Sequence, residues 1–320
     1  MFLIIRPEAL VRGMEERILE FLERHDFGLL DVWTCLSATS KHFEELYKYN
    51  LADATEAGRP ASWWLDSLSF LQGPIVTALL DDKSRNDPVI DSHLRLKELK
   101  GPADPDRTVP GQLRHEFQVD NYSLALVHSA DDSLSTAREF LIFHPIERLR
   151  ARLRTSIRNL ESATARDRHA EAMRQRRLVE LAAYSYSPQF ATDLVSAFIR
   201  VKIRLLKMLP RPSSEPSIDM PEIYLQFARL ASAPGPSSDR MQQYVTLCRR
   251  ELQMLEGQWS SGSVGQELLV SLARPEAYDL SLAETIVAHL RGHAVYLSDW
   301  ERTVLLTGMT YPRTGARSGR

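Results

Sequence analysis

Cysteine is nearly absent: Cys35 and Cys248 are the two in a chain of 320 residues. That excludes a disulfide framework and any cysteine-rich zinc site. No apolar run reaches the roughly 18 residues of a membrane-spanning helix. The opening Met1-Phe2-Leu3-Ile4-Ile5 is too short for the apolar core of a signal peptide. The expectation is a soluble, cytoplasmic protein with no membrane partner. Neither charge sign is in excess, since 40 Lys+Arg against 42 Asp+Glu leave a net charge of −2. Such a chain lacks the global positive field of an indiscriminate nucleic-acid binder. No GxxxxGK[ST] segment occurs, which excludes a P-loop. What is present is ordinary globular composition, 43% hydrophobic and 26% charged, in a length that suits about two domains.

The first 146 residues alternate strand-like and helix-like patterns. Phe2 to Ile5 predicts a buried strand stopped by Arg6-Pro7, and Val11 to His25 an amphipathic helix. Gly28 to Leu36 reads as a second strand, and Ser40 as the N-cap of a helix carrying Phe43, Leu46 and Tyr47. After the turn at Gly58-Arg59-Pro60 come a helix over Trp63 to Phe70, a strand over Ile75 to Leu80 and a helix over Asp91 to Lys100. Gly101 to Gly111 holds three prolines and two glycines, which points to an irregular, functional loop. Ser123 to His128 reads as the fourth strand and Ser133 to Phe143 as the following helix. The order predicts an α/β (α+β) fold, a ferredoxin-like βαββαβ core with added helices.

From Glu147 the strand signals stop, so the expected division is an α/β domain over 1–146 and an all-helical region over 147–320. Leu149, Leu153, Ile157 and Leu160 form one apolar helical stripe. A helix is expected from Ser187-Pro188 to Pro210, another over Met241 to Leu255, and one opened by the capping-box pattern Ser281-Leu-Ala-Glu284. Linkers fall near 210–219 and 233–239, and a small, basic tail covers 313–320.

Chemistry-bearing residues are few. His128 ends an apolar strand, and Glu139 stands eleven residues on, in the next helix. A carboxylate holding one ring nitrogen fixes the tautomer and leaves the other nitrogen as a nucleophile. Read without that partner, His128 is incidental and its polar successors merely cap a helix. His289 and His293 have helical metal spacing, but Gly292 breaks the helix between them and no carboxylate is near, so no metal site is expected. Arg148 to Arg177 carries ten arginines against three acids; a solvated helix face or a subunit contact is the commoner meaning, and nucleic acid is not expected. Trp63-Trp64 suits a core or interface anchor better than a base-stacking platform.

Four segments, in order, resemble the nucleoside diphosphate kinase family. Ile5-Arg6-Pro7-Glu8-Ala9-Leu10-Val11-Arg12-Gly13 is similar to the family's IKPDGVQRG. GPADPDRTVPGQLRHEF, residues 101–117, resembles GETNPADSKPGTIRGDF without a gap. Leu126 to Ser133 resembles the active-site IIHGSDS, and Phe143-His144-Pro145 the closing FHP. The resemblance implies a ping-pong transfer of the γ-phosphate of ATP or another nucleoside triphosphate to a nucleoside diphosphate through a phosphohistidine at His128. By the same resemblance Glu139 orients the histidine, and Arg6, Lys97 and Arg114 contact phosphates. Tyr47 lies near the ring, Mg²⁺ binds through the nucleotide phosphates, and the domain self-associates. Phosphoryl transfer depends mainly on positioning and positive charge, which suits this residue set.

The departures are specific. Arg6 replaces the family's phosphate-binding lysine, and Lys97 one of its arginines. Ala103 stands for a threonine and Ala125 for the asparagine that reads the ribose 3′-hydroxyl. Ser129-Ala130 replaces Gly-Ser, one residue is inserted between Arg114 and His128, and Ser62 falls nearest the base-stacking aromatic. Each lost neutral hydrogen bond is worth about 0.5–1.5 kcal/mol. The alternative expectation is therefore a catalytically impaired nucleotide-binding sensor whose helical half engages a protein partner.

Overall fold

The computed structural model describes residues 1–53, 63–84, 91–151, 193–208, 219–233, 237–255 and 264–311. The chain divides into two compact units. One comprises Met1–Pro102, Thr108–Phe117 and Ala125–Tyr186; the other Ala103–Arg107, Gln118–Leu124 and Ser187–Arg320.

The first unit is built on β1 (Phe2–Ile5), whose four apolar side chains are all buried. Burial on both faces means that both sides of the sheet are covered there, and β1 is internal because it pairs antiparallel with both β3 (Ile75–Asp82) and β4 (Val127–Ser129). The sheet order is β2-β3-β1-β4, with β2 (Phe27–Cys35) antiparallel to β3. Helices α1 (Pro7–Val11), α2 (Glu15–Arg24), α3 (Ser40–Asp53) and α4 (Trp63–Phe70) fill the crossovers before β3. The helices α5 (Ser92–Lys100), α6 (Leu113–Glu116) and α7 (Ser133–Phe143) complete this part. This is the ferredoxin-like βαββαβ arrangement that the element order predicts. One apolar cluster joins Phe2, Ile4, Phe43, Leu46, Phe70 and Phe140.

Several expected elements differ. The helix expected over Val11 to His25 is broken, because Gly13 takes a left-handed φ of +64° between α1 and α2. Thr39, not Ser40, precedes α3, and its carbonyl accepts the Phe43 amide at 3.2 Å. A single 3₁₀ turn, Pro105–Arg107, forms inside the 101–111 segment expected to be irregular. The strand expected over Ser123 to His128 shrinks to Val127–Ser129. Asn121 Oδ1 accepts the amides of Ser123 and Leu124 at 3.0 and 3.1 Å, and Leu126 adopts φ +65°, so the run cannot stay extended.

The second unit contains α8 (Leu194–Met208), α9 (Asp219–Ser232), α10 (Ser237–Leu255), α11 (Val264–Leu272), α12 (Leu280–Gly292) and α13 (Asp299–Thr310). Asp193 caps α8, its Oδ1 accepting from Ser196 at 3.0 Å. Asp279, rather than Ser281, caps α12, with Oδ1 2.7 Å from the Leu282 amide. The reciprocal capping box lies instead at Ser298 and Glu301. Lys202 is buried against Glu251 at 2.7 Å, where the paired charges satisfy each other. Leu153, Ile157, Leu160, most of the arginine-rich stretch, Ser187-Pro188, Arg211 to Ser217, Gly235, Ser62 and the tail from 312 lie outside the described residues. Among the described residues no helix is long and apolar enough to cross a membrane.

Glu301 ties α13 to α8. Its carboxylate accepts from Arg200 Nε at 2.8 Å and from Arg204 Nη1 and Nη2 at 2.8 and 3.0 Å. Burial alone would raise its pKa, but the hydrogen bonds from Arg204 and Arg200 outweigh it and hold the group at about 2. Stability from this carboxylate is therefore present above its ordinary pKa and lost as pH falls towards 2. Glu301→Gln is expected to cost the helical unit about 2 kcal/mol at neutral pH. Denaturant titrations from pH 7 to 2 should show the gap closing as the acid side is reached; a gap independent of pH would refute this role.

Candidate active site

His128 is the middle residue of β4, fixed opposite Ile4 by the pairing with β1. Glu139 sits on α7 beside Phe140, which is buried edge-on against Phe2 and Trp33. Strand pairing sets the imidazole and aromatic packing sets the helix, and the two meet with His128 Nε2 2.8 Å from Glu139 Oε2. A carboxylate only accepts, so Nε2 carries the proton and Nδ1 presents a lone pair. The Tyr47 hydroxyl lies 3.5 Å from Nδ1, too long for a strong hydrogen bond. Glu139 Oε1 accepts from Arg138 Nη2 at 3.2 Å.

Burial lowers the His128 pKa, the charges of Lys100 and Arg6 add to that, and Glu139 opposes it through its hydrogen bond and charge. The ring is neutral at pH 7, the form in which Nδ1 is nucleophilic. Tyr47 is pushed up to about 12, chiefly by burial, with Arg6 opposing. It stays a protonated hydroxyl throughout the physiological range.

The cations are arranged in three ways. Arg6 is buried, donates to Ser69 Oγ at 2.6 Å and lies 3.1 Å from Glu8. Arg114 is also buried, and each of its nitrogens donates to a main-chain carbonyl: Nε to Ala125 at 3.0 Å, Nη1 to Gly101 and Nη2 to Val127 at 2.8 Å. It therefore braces the residues that lead into His128. Lys97 is exposed on α5, 3.7 Å from Asp131.

The backbone before the histidine is strained and clamped. Leu126 holds φ +65°, a conformation costing a non-glycine residue about 1–3 kcal/mol. Its amide donates to Glu8 Oε1 at 3.1 Å and its carbonyl accepts from the Arg6 amide at 2.9 Å. Ala130 packs in the apolar cluster with Phe2 and Phe140.

Residues 1–149 match the family model described as nucleoside diphosphate kinase. This part of the chain is a nucleoside diphosphate kinase family domain. A nucleoside diphosphate kinase of Pyrococcus horikoshii is 24% identical over 46% of this chain and 85% of its own length. One of Brugia malayi is 24% identical over 43% and 80%, and one of Desulforamulus reducens 24% over 46% and 89%. A solved Aquifex aeolicus nucleoside diphosphate kinase aligns with 22% identity and a TM-score of 0.36, covering 45% of this chain and 93% of its own.

In the kinase-family domain His128, Glu139 and Tyr47 converge directly, and Arg6 is close enough for its charge to act on His128 and Tyr47. Lys97 is in ion-pair range of Asp131, outside the buried group. Three participants were not anticipated from the sequence. Glu8 and Ser69 hold Arg6 and Leu126, and Lys100 donates to Ser129 Oγ at 2.7 Å. The one available signal was Lys100 itself, a basic residue closing a helix just before Gly101.

Because Glu139 raises the His128 pKa against burial, Glu139→Gln is expected to lower it further. An NMR titration of the His128 ring would record that downward shift; an unchanged or higher midpoint would mean the pair is not coupled as described.

Proposed function

We propose that the N-terminal domain is a phosphotransferase of the nucleoside diphosphate kinase type. Nδ1 of His128 attacks the γ-phosphorus of a nucleoside triphosphate, the bond from that phosphorus to the β-phosphate oxygen breaks, and the diphosphate leaves with the electron pair. In the second half-reaction a terminal oxygen of another nucleoside diphosphate attacks the same phosphorus and the phosphorus–nitrogen bond breaks. The observation that carries this reading is the 2.8 Å Nε2–Glu139 hydrogen bond, which leaves Nδ1 bare on a neutral ring.

Glu139 orients the ring and stabilises the charge it gains during transfer. In this reading Arg6 supplies fixed positive charge that reaches the histidine, Arg114 braces the backbone leading into it, and Lys97 stands at the exposed margin. Preset charge of this kind lowers the barrier because it does not reorganise as the reaction proceeds. Tyr47 supplies a hydroxyl that remains protonated near Nδ1.

Mg²⁺ belongs to the reading as an ion carried by the nucleotide phosphates, where it would neutralise part of their charge. The cations whose charge reaches His128, Arg6 and Lys100, suit a polyanion, while Glu139 is already engaged by His128 and Arg138. Among the described residues no group of three His, Cys, Asp or Glu could hold an ion alone. Self-association of the domain and residence in the cytoplasm are part of the same proposal.

Incubating the full chain with γ-labelled ATP and Mg²⁺ is expected to give acid-labile, alkali-stable label. His128→Ala should reduce the label to background. Wild type that binds nucleotide but takes no label would overturn the transfer reading in favour of a nucleotide sensor.

A further inference from the structure

α12 ends in a pair of histidines, His289 in its last turn and His293 as its cap residue. Gly292, expected to break the helix between them, lies inside it, and the His293 amide donates to the His289 carbonyl at 3.2 Å. The end of the helix is fixed by main-chain bonds. Ala294 takes a left-handed φ of +54°, its amide donates to the Arg291 carbonyl at 3.0 Å, and the Val295 amide donates to the Leu290 carbonyl at 2.9 Å. These are the two bonds of a left-handed helix cap, and they hold His293 at a set position. The two imidazoles therefore share one face, four residues apart, with ring centroids 4.3 Å from each other.

The surroundings of the rings suit a metal. His293 Nδ1 lies 3.0 Å from the His289 carbonyl oxygen. A carbonyl only accepts, so Nδ1 of the neutral ring carries the proton and Nε2 presents a lone pair. Histidines that ligate metals are oriented in this way, their second nitrogen donating to a carbonyl or carboxylate. Among the described residues nothing hydrogen-bonds the His289 ring. Burial and the neighbouring His293 lower its pKa, so the ring is neutral at pH 7, the form that binds a metal. The carbonyls at a helix C-terminus carry partial negative charge, which favours a cation there.

We propose that His289 and His293 together bind a transition-metal dication of the Zn²⁺ and Ni²⁺ class, with water filling the remaining coordination positions. Imidazole suits these ions, whereas Mg²⁺ prefers oxygen ligands and gives up its water reluctantly. The ion carried by nucleotide phosphates is therefore not the one this pair takes. A single imidazole holds such an ion weakly. Two imidazoles fixed on one turn make the second bond intramolecular, and that is the source of the pair's affinity. Two protein ligands leave the coordination open, so binding is reversible and the ion can be withdrawn by a chelator. The site does not depend on the reading given to His128.

The test is a Zn²⁺ titration of the full chain at neutral pH, followed by NMR of the imidazole nitrogens in histidine-labelled protein. The two resonances are assigned by their loss in His289→Gln and His293→Gln. In wild type both are expected to move together, at one Zn²⁺ concentration, and to return when a chelator is added. In each single variant the surviving ring should respond only at about tenfold more Zn²⁺, because chelation is gone. Mg²⁺ should move neither ring. His289 is half-buried and His293 exposed, both at a helix end, so the metal-free thermal midpoints of the variants should match wild type. Rings that respond at separate Zn²⁺ concentrations, or a single variant that binds as tightly as wild type, would overturn the site.

Discussion

The hydrogen bond between His128 Nε2 and Glu139 Oε2 is the interaction on which the rest of the site depends. It assigns the tautomer, and with it which ring nitrogen can act. Neither partner could hold this geometry alone. The imidazole is set by the pairing of β4 with β1, and the carboxylate by Phe140, wedged between Phe2 and Trp33. A shift of α7 or a slip in strand register would separate the pair without changing either residue.

The segment before the histidine shows how much structure holds a single imidazole in place. Leu126 occupies a left-handed conformation that its side chain does not favour, so surrounding contacts must hold it. Glu8 grips its amide, the Arg6 amide binds its carbonyl, and Arg114 spans the carbonyls on either side. The Arg114 guanidinium and the Glu8 carboxylate thus carry the backbone of this segment. Arg114 gives one guanidinium hydrogen bond to each of three carbonyls, a fork geometry that an ammonium cannot reproduce.

Much of this was legible in the residues. Phe2 to Ile5 is a strand because an apolar run stopped by Arg6-Pro7 has few alternatives, and Trp63 to Phe70 and Ser133 to Phe143 fall where their patterns place them. The pairing of His128 with Glu139 was suggested by an imidazole and a carboxylate one strand-to-helix step apart, and the fold brings them to 2.8 Å. Caps were less legible. Asp279 competes with Ser281, two residues on and of similar capping propensity, and nothing in the local pattern chooses between them. The short β4 was hidden because Ser123 to His128 has strand composition, while the Asn121 side chain and the Leu126 dihedral that end the strand are conformational facts.

By itself the sequence determined the order of strands and helices in the first part of the chain, the helical character of the later part, and the identity of the imidazole and its carboxylate. These are local properties, written in apolar periodicity and in the spacing of a few reactive groups. Only the tertiary structure decided which cations act on the ring, which donate to main-chain carbonyls, and that Lys100 meets Ser129. Electrostatic roles depend on distance and burial through space, and residues far apart along the chain acquire both only when it folds.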